Sequence, residues 1–234
     1  RRRAAELVKY ASNAFLAVKI SYINEIADLC EKVGVDVHDV ARGMGLDQRI
    51  GRKFLHPGPG FGGSCFPKDT HAILATAEEH GADLNIIQAA VDVNRRRPGQ
   101  MVEKIRAALG GELAGRTVGM LGLAFKPNTD DVRESAAVII ASELAAAGAR
   151  VQAFDPAALE TARAAGYEGL ACPDEYAACE GADALVIATE WNQFRNLDLE
   201  RIKRLPGVRG MHFMSVTWES VVPRLIRESG LRAA

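Results

Sequence analysis

The sequence predicts an α/β chain in two parts: an all-helical domain built on one long spine helix, followed by a domain with a parallel sheet. Two observations predict it. From Ala4 to Val33 the apolar residues Leu7, Ala11, Phe15, Val18, Tyr22, Ile26, Leu29 and Val33 recur at steps of three and four, a helical period held over about eight turns. After Gly110-Gly111 the pattern changes, and short apolar runs alternate with helical stretches. That alternation is the mark of βαβ units.

The elements run in order from the N-terminus. A helix as long as the first needs a neighbouring domain or a symmetry mate to cover it, and Gly34 supplies its stop. A short helix is expected from Asp36 to Met44, ended by Gly43 and Gly45. Leu55-His-Pro-Gly-Pro-Gly-Phe-Gly-Gly-Ser-Cys65-Phe-Pro has too much Gly and Pro for helix or strand and reads as a loop. Helices resume over Lys68 to His80 and Leu84 to Leu109. Thr117-Val-Gly-Met-Leu-Gly-Leu-Ala-Phe125 reads as a buried strand, Glu134 to Gly148 as a helix, and Arg150 to Asp155 as a second strand. Pro173 to Glu180 is expected to be a short helix and Ala184 to Thr189 a third strand. The domains are placed at residues 1–95 (helical) and 112–234 (α/β), with a connecting helix end and linker at 96–111. No internal repeat or low-complexity segment interrupts them.

Composition excludes several function classes. The 234 residues carry 29 basic and 30 acidic side chains, a formal net charge of −1, which is not the balance of a nucleic-acid binder. Basic clusters are confined to Arg1–Arg3 and Arg95–Arg97. With 48% hydrophobic and 25% charged residues the composition is that of a globular protein. No apolar run approaches the roughly 20 residues of a membrane span and no signal-peptide core is visible, so a cytoplasmic chain without membrane partners is expected. The four cysteines (Cys30, Cys65, Cys172, Cys179) and five histidines (His38, His56, His71, His80, His212) lack metal-ligand spacing, and no metal is expected.

Gly58-Pro-Gly60-Phe-Gly-Gly63 matches G-x-G-x-x-G literally, but no strand precedes it and Pro67 interrupts the segment beyond it, so it is not read as a dinucleotide cradle. What the loop offers is Cys65 just ahead of a helix that Pro67 can open, beside Lys68. The helix dipole and the ammonium both favour a thiolate there. Asp69 lies one turn on, where it could act as a base or orient water. Without that setting, Cys65 would read as a small apolar residue in a glycine turn. Lys9 and Asn13, four apart on the long helix, offer a cation and an amide donor side by side, as a developing oxyanion requires. The alternative reading of that pair is a solvated helix face. Cys30 belongs with the core, and Cys172 and Cys179 receive no role. Gly119, Gly122 and Asp155 allow a further reading, in which the sheet domain holds a dinucleotide and Asp155 its ribose hydroxyls. Lys126-Pro127, standing where the glycine turn should open a helix, weighs against it.

Four stretches in this order resemble one family. They are Ala5-Glu-Leu-Val-Lys9-Tyr-Ala-Ser-Asn13-Ala-Phe, Arg49-Ile-Gly, Gly60-Phe-Gly-Gly-Ser-Cys65-Phe-Pro-Lys-Asp69 and Gly122-Leu-Ala-Phe-Lys126-Pro-Asn-Thr-Asp-Asp-Val-Arg133-Glu134-Ser. Together they resemble the UDP-glucose/GDP-mannose dehydrogenase family, over about residues 4–205, and most closely its members that act on UDP-glucose. The resemblance implies a helical dimerisation domain and a Rossmann-like UDP-binding domain, a homodimer formed through the long helix, and a place in nucleotide-sugar metabolism that feeds polysaccharide biosynthesis. It implies oxidation of the sugar C6 alcohol to a carboxylate, UDP-glucose to UDP-glucuronate, with two NAD per turnover. Cys65 would attack the C6 aldehyde, passing through a thiohemiacetal and a thioester. Lys9 and Asn13 would stabilise the oxyanion, and Asp69 would assist proton transfer from water. Phe54, Leu55, His56, Pro57, Gly58, Phe61 and Gly62 would line the sugar-nucleotide pocket, and Arg49 would reach the partner subunit's substrate. Phe125 and Lys126 would hold the uridine end, while Lys68 and Arg133 would touch the NAD phosphates.

Two departures stand beside this. The N-terminal NAD-binding domain that the family carries ahead of the long helix is not in the sequence, so the chain is expected to be inactive alone. The family's closing Asp-(Gly or Leu)-Arg-Asn segment is replaced by Val208-Arg-Gly-Met-His-Phe-Met-Ser-Val-Thr-Trp218, and Arg209 falls outside that motif. A non-catalytic UDP-sugar-binding or dimerisation module, or a GDP-mannose-oxidising relative, are the alternative readings.

Overall fold

A computed structural model describes residues 2–205. The segment Val208–Trp218, which stands in place of the family's closing motif, lies outside the described residues. The chain divides into two compact units between Arg97 and Pro98.

The first unit is helical. It comprises α1 (Arg2–Val33), α2 (Val37–Gly45), α3 (Phe66–Glu79) and the first half of α4 (Asn85–Ala108). Asp36 caps α2 by accepting from the backbone N–H of His38 at 2.8 Å. The face of α1 turned inward carries Ala14, Ala17, Ser21, Ile23, Asn24, Ala27 and Cys30, each at most 5% exposed. Small residues let α3 approach it closely. The stripe that defined the helical period is the other face: Leu7, Phe15, Tyr22, Leu29 and Val33 are between 46% and 64% exposed. A small core forms where Ile23, Ala41 and Leu55 meet.

The second unit is a four-stranded sheet, all parallel, in the order β3-β2-β1-β4. Its strands are β1 (Thr117–Leu121), β2 (Arg150–Phe154), β3 (Leu170–Ala171) and β4 (Ala184–Ile187). Central β1 is buried at every position, which explains its unbroken apolar sequence. The second half of α4, α5 (Ala136–Ala146) and α6 (Leu159–Ala164) add Ile105, Ile140, Leu144 and Ala162 to one core. A second core joins Leu121, Ile187, Phe194 and Ile202, bringing in a 3-10 turn (Asn192–Asn196) and α7 (Leu199–Arg204).

Three expectations need correction. The first strand ends at Leu121 rather than Phe125, because Gly122 turns into the left-handed region (φ 93°) and the next two N–H groups leave the ladder for a carboxylate. The span from Pro173 to Glu180 is a series of turns, not a helix. Asp174 Oδ1 accepts from the N–H groups of Tyr176 and Ala177, and the later bonds mix three- and four-residue spacing. Strand β3 is an addition; two residues long, it gives no period to read.

Candidate active site

Helix α3 begins at Phe66, with Cys65 at its N-cap and Pro67 in its first turn, where the missing N–H costs nothing. Cys65 is exposed, and its Sγ lies 3.9 Å from Ser64 Oγ. The N–H of Asp69 donates to Cys65 O at 2.8 Å, which sets Asp69 one turn below the thiol. The Asp69 side chain is fully buried (0% exposed). From α1, Asn13 Nδ2 donates to Asp69 Oδ2 at 2.6 Å, and Lys9 Nζ stands 3.4 Å from the same oxygen. Lys68 Nζ lies 3.5 Å from Oδ1, which accepts no hydrogen bond among the described residues. Burial pushes this carboxyl upward. The Asn13 hydrogen bond and the ammonium groups of Lys9 and Lys68 outweigh it and hold Asp69 below the ordinary aspartate value. Lys9, Asn13 and Lys68 thus gather around the Asp69 carboxylate, and Cys65 stands one helical turn before Asp69 at the start of α3.

The glycine loop ahead of the thiol is built by its neighbours. Phe54, at φ 64°, and Phe61 each set a ring edge-on to Phe66, at centroid distances of 6.0 and 5.8 Å. Leu55 is in the core at 2% exposure, Pro57 is buried, and His56, Gly58 and Gly62 are half-buried. Gly58 N donates to Asn24 Oδ1 at 2.7 Å, and Gly58 O accepts from Arg97 Nε at 2.9 Å. Phe61 exchanges two bonds with the Asn94 amide, 2.8 Å at its N–H and 2.9 Å at its C=O. Asn24, Asn94 and Arg97 were not singled out from the sequence. The only signal there was an asparagine, a poor helix former, within a long helix one turn before an arginine. Arg49 stands apart on an exposed turn, with Nη2 2.5 Å from Asp47 Oδ2. Its hydrogen bond to that carboxylate holds Asp47 low and raises the guanidinium.

In the second unit, Phe125 is half-buried and Lys126 exposed, its Nζ 5.2 Å from the Phe125 ring centroid. Arg133 grips Asp131 with Nε to Oδ1 at 2.9 Å and Nη2 to Oδ2 at 2.7 Å, and 67% of its side chain is exposed. The Arg133 hydrogen bond, opposed by burial, holds Asp131 below the ordinary value. Asp155 does not offer itself to a ribose. It is 2% exposed; its Oδ2 accepts from Leu123 N, Ala124 N and Trp191 Nε1, and its Oδ1 from Ala157 N and Ala158 N. The space beside Gly122 is also taken, since a Cβ there would lie 2.4 Å from Thr189 Cβ. The reading of this sheet as a dinucleotide site through Gly119, Gly122 and Asp155 is therefore set aside.

The other thiols differ from Cys65. Cys30, Cys172 and Cys179 are buried. Burial pushes Cys172 up, and burial followed by the charge of Glu175 pushes Cys179 up to about 12. Among the described residues no group of three His, Cys, Asp or Glu side chains is placed to hold a metal ion, and no helix is long and apolar enough to cross a membrane.

Comparison with known proteins joins these observations. Residues 3–96 match the central-domain model of the UDP-glucose/GDP-mannose dehydrogenase family, and residues 119–211 match its UDP-binding-domain model. The chain belongs to this family of oxidoreductases. It is 57% identical over 203 residues to the UDP-glucose 6-dehydrogenase of Rhizobium meliloti, covering 86% of this chain and 46% of that protein. It is 49% identical over 203 residues to the UDP-glucose 6-dehydrogenase TuaD of Bacillus subtilis, covering 86% and 44%. Among solved structures, a UDP-glucose dehydrogenase from Pyrobaculum islandicum superposes with a TM-score of 0.84 at 44% identity, over 97% of this chain and 49% of that one. The chain spans about half the length of the curated relatives it matches.

Proposed function

We propose that this chain supplies the thiol chemistry and the nucleotide-sugar site of a UDP-glucose 6-dehydrogenase. The observation that carries the reading is the buried Asp69, joined to Lys9, Asn13 and Lys68 one helical turn from an exposed cysteine. Once the C6 alcohol has become an aldehyde, Cys65 Sγ adds to the carbonyl carbon and holds the sugar as a thiohemiacetal, so the intermediate cannot leave between oxidations. Oxidation of the thiohemiacetal gives a thioester. Water adds to it, the C–S bond breaks, and the carboxylate and free thiolate result. Asn13 spends one N–H on Asp69, and its second, with the Lys9 ammonium, is available to the oxygen that gains charge at each tetrahedral step. Asp69, kept ionised, takes a proton from the attacking water.

NAD, when bound, supplies the hydride acceptor for both oxidations. The described residues fit it in part: Lys68 and Arg133 are cations with 66% and 67% of their side chains exposed, suited to phosphate oxygens. Asp155 is spent internally, and no strand among the described residues opens through a glycine turn directly into a helix. Phe125 and Lys126 are assigned to the uridine end, the pocket-lining role to Phe54–Gly58, Phe61 and Gly62, and Arg49 to a substrate held by a second copy. The exposed face of α1, bordering a groove of about 1360 Å³ lined by Leu7, Tyr10, Phe15, Val18 and Ile86, is assigned to homodimer formation. A cytoplasmic setting suits these roles.

The test is alkylation of Cys65 by iodoacetamide, with UDP-glucose binding followed by calorimetry. UDP-glucose is expected to bind and to slow modification of Cys65 several-fold. Binding with no protection would favour a non-catalytic UDP-sugar module, tighter binding of GDP-mannose would favour the mannose relatives, and no binding of either would overturn the reading.

A further inference from the structure

The loop from Leu55 to Gly63 has no helix or strand to satisfy its main chain, and four of its nine residues are glycine. Its polar main-chain groups must find partners elsewhere. At two points they find side chains. Both polar groups of Gly58 are taken, by Asn24 from α1 and Arg97 from α4. Both polar groups of Phe61 are taken by one amide, that of Asn94. An amide is the side chain that presents a donor and an acceptor side by side, as a neighbouring strand would. Arg97 is 3% exposed and ion-paired with Asp28, so its position is fixed in turn. Between the two anchors Gly60 sits at φ 125°, and a Cβ on it would stand 3.0 Å from Asn94 Oδ1. The loop's path and the place of this amide therefore require each other.

We infer that Asn94, supported by Arg97 and Asn24, is a positioning residue for the sugar. It holds the glycine loop in its ligand-ready path before substrate arrives, so that the hexose end of the nucleotide sugar meets a preformed wall beside Cys65. The inference rests on the function proposed above. Flexible glycines left to order on binding would take their entropy from the affinity, and the loss would fall on the sugar end, since the loop runs directly into Cys65. The nucleotide end, assigned to Phe125 and Lys126, would not notice.

The experiment compares UDP-glucose with UDP by calorimetry on the full chain, in the wild type, Asn94→Ala and the near-isosteric Asn94→Asp. The latter keeps an acceptor for Phe61 N–H and loses the donor to Phe61 C=O. Circular dichroism identifies variants that keep their helices. The preference for UDP-glucose over UDP is expected to fall about tenfold or more in a folded variant, with UDP affinity unchanged. A general structural role would move both ligands or neither. An unchanged preference in a folded variant overturns the positioning role and leaves the proposed function standing. A wild-type chain that binds neither ligand overturns that function and this inference with it.

Discussion

Asn13 donates to Asp69 across 2.6 Å, tying the long helix to a carboxylate 56 positions further along the chain. The bond does two things at once: it fastens α3 to α1, and it keeps a buried charge ionised. Asn13→Ala should cost about 1 kcal/mol of stability at neutral pH. The pH dependence has a definite sign. A carboxyl held below its ordinary value stabilises the fold fully above the unfolded value, about 4, and that contribution is lost as pH falls through the folded value. Removing the Asn13 bond lets the folded value rise towards the unfolded one, so the variant should lose less stability than wild type between pH 7 and pH 3, and the two curves should converge at low pH. Urea unfolding between pH 7 and pH 3 measures both effects; parallel curves would contradict the second.

Thiol chemistry should single out one cysteine of four. Cys65 is exposed, whereas Cys30, Cys172 and Cys179 are buried and Cys179 is pushed up to about 12. Native alkylation followed by peptide mass analysis should show Cys65 modified first, and the other three only after denaturant is added. Early modification of Cys172 or Cys179 would mean that the core around Leu121 and Phe194 opens readily.

Much of this was legible in the sequence, for reasons that differ by element. The long helix announced itself by period, yet the period marked its exposed face. Large apolar residues on that face outshout the small buried ones, Ala14, Ala17 and Ala27, on which the inward packing depends. Lys9 and Asn13 could be paired by spacing alone, and Asp69 with Cys65 likewise. That the two pairs converge on one carboxylate is a tertiary fact with no local trace. The same holds for Asn94: its role is defined by a loop 33 residues away, and nothing in its own neighbourhood says so. Asp155 invites a dinucleotide reading because an acidic residue after a second parallel strand has a familiar use, and Lys126-Pro127 already weighs against it in the sequence. Here five N–H groups use it first.

Asp155 itself gives a third expectation. Asp155→Ala would leave the N–H groups of Leu123, Ala124, Ala157 and Ala158 and the Trp191 indole without their acceptor. The loss should be ~3 kcal/mol or more, since buried donors without partners are costly. Asp155→Asn, which keeps one oxygen, should lose less. Thermal unfolding followed by circular dichroism ranks the two; equal stability of Asp155→Ala and wild type would contradict the account.

The outer face of α1 gives a fourth. Phe15 and Leu29 are 64% and 55% exposed, so Phe15→Glu and Leu29→Glu remove little internal packing. If this face meets a second copy, the double variant should sediment as a monomer under conditions where wild type sediments as a dimer, with its helical content retained. Unaltered dimers would move the interface elsewhere.

The loop beside Cys65 is gripped at Gly58 and Phe61 by main-chain atoms, not by what those residues carry. Such a grip is blind to side-chain identity. Gly60 is held to glycine by its φ of 125° and by Asn94, but the other positions of the loop can change over evolutionary time while the chain keeps its course, and one scaffold can be retuned to a different ligand without being rebuilt.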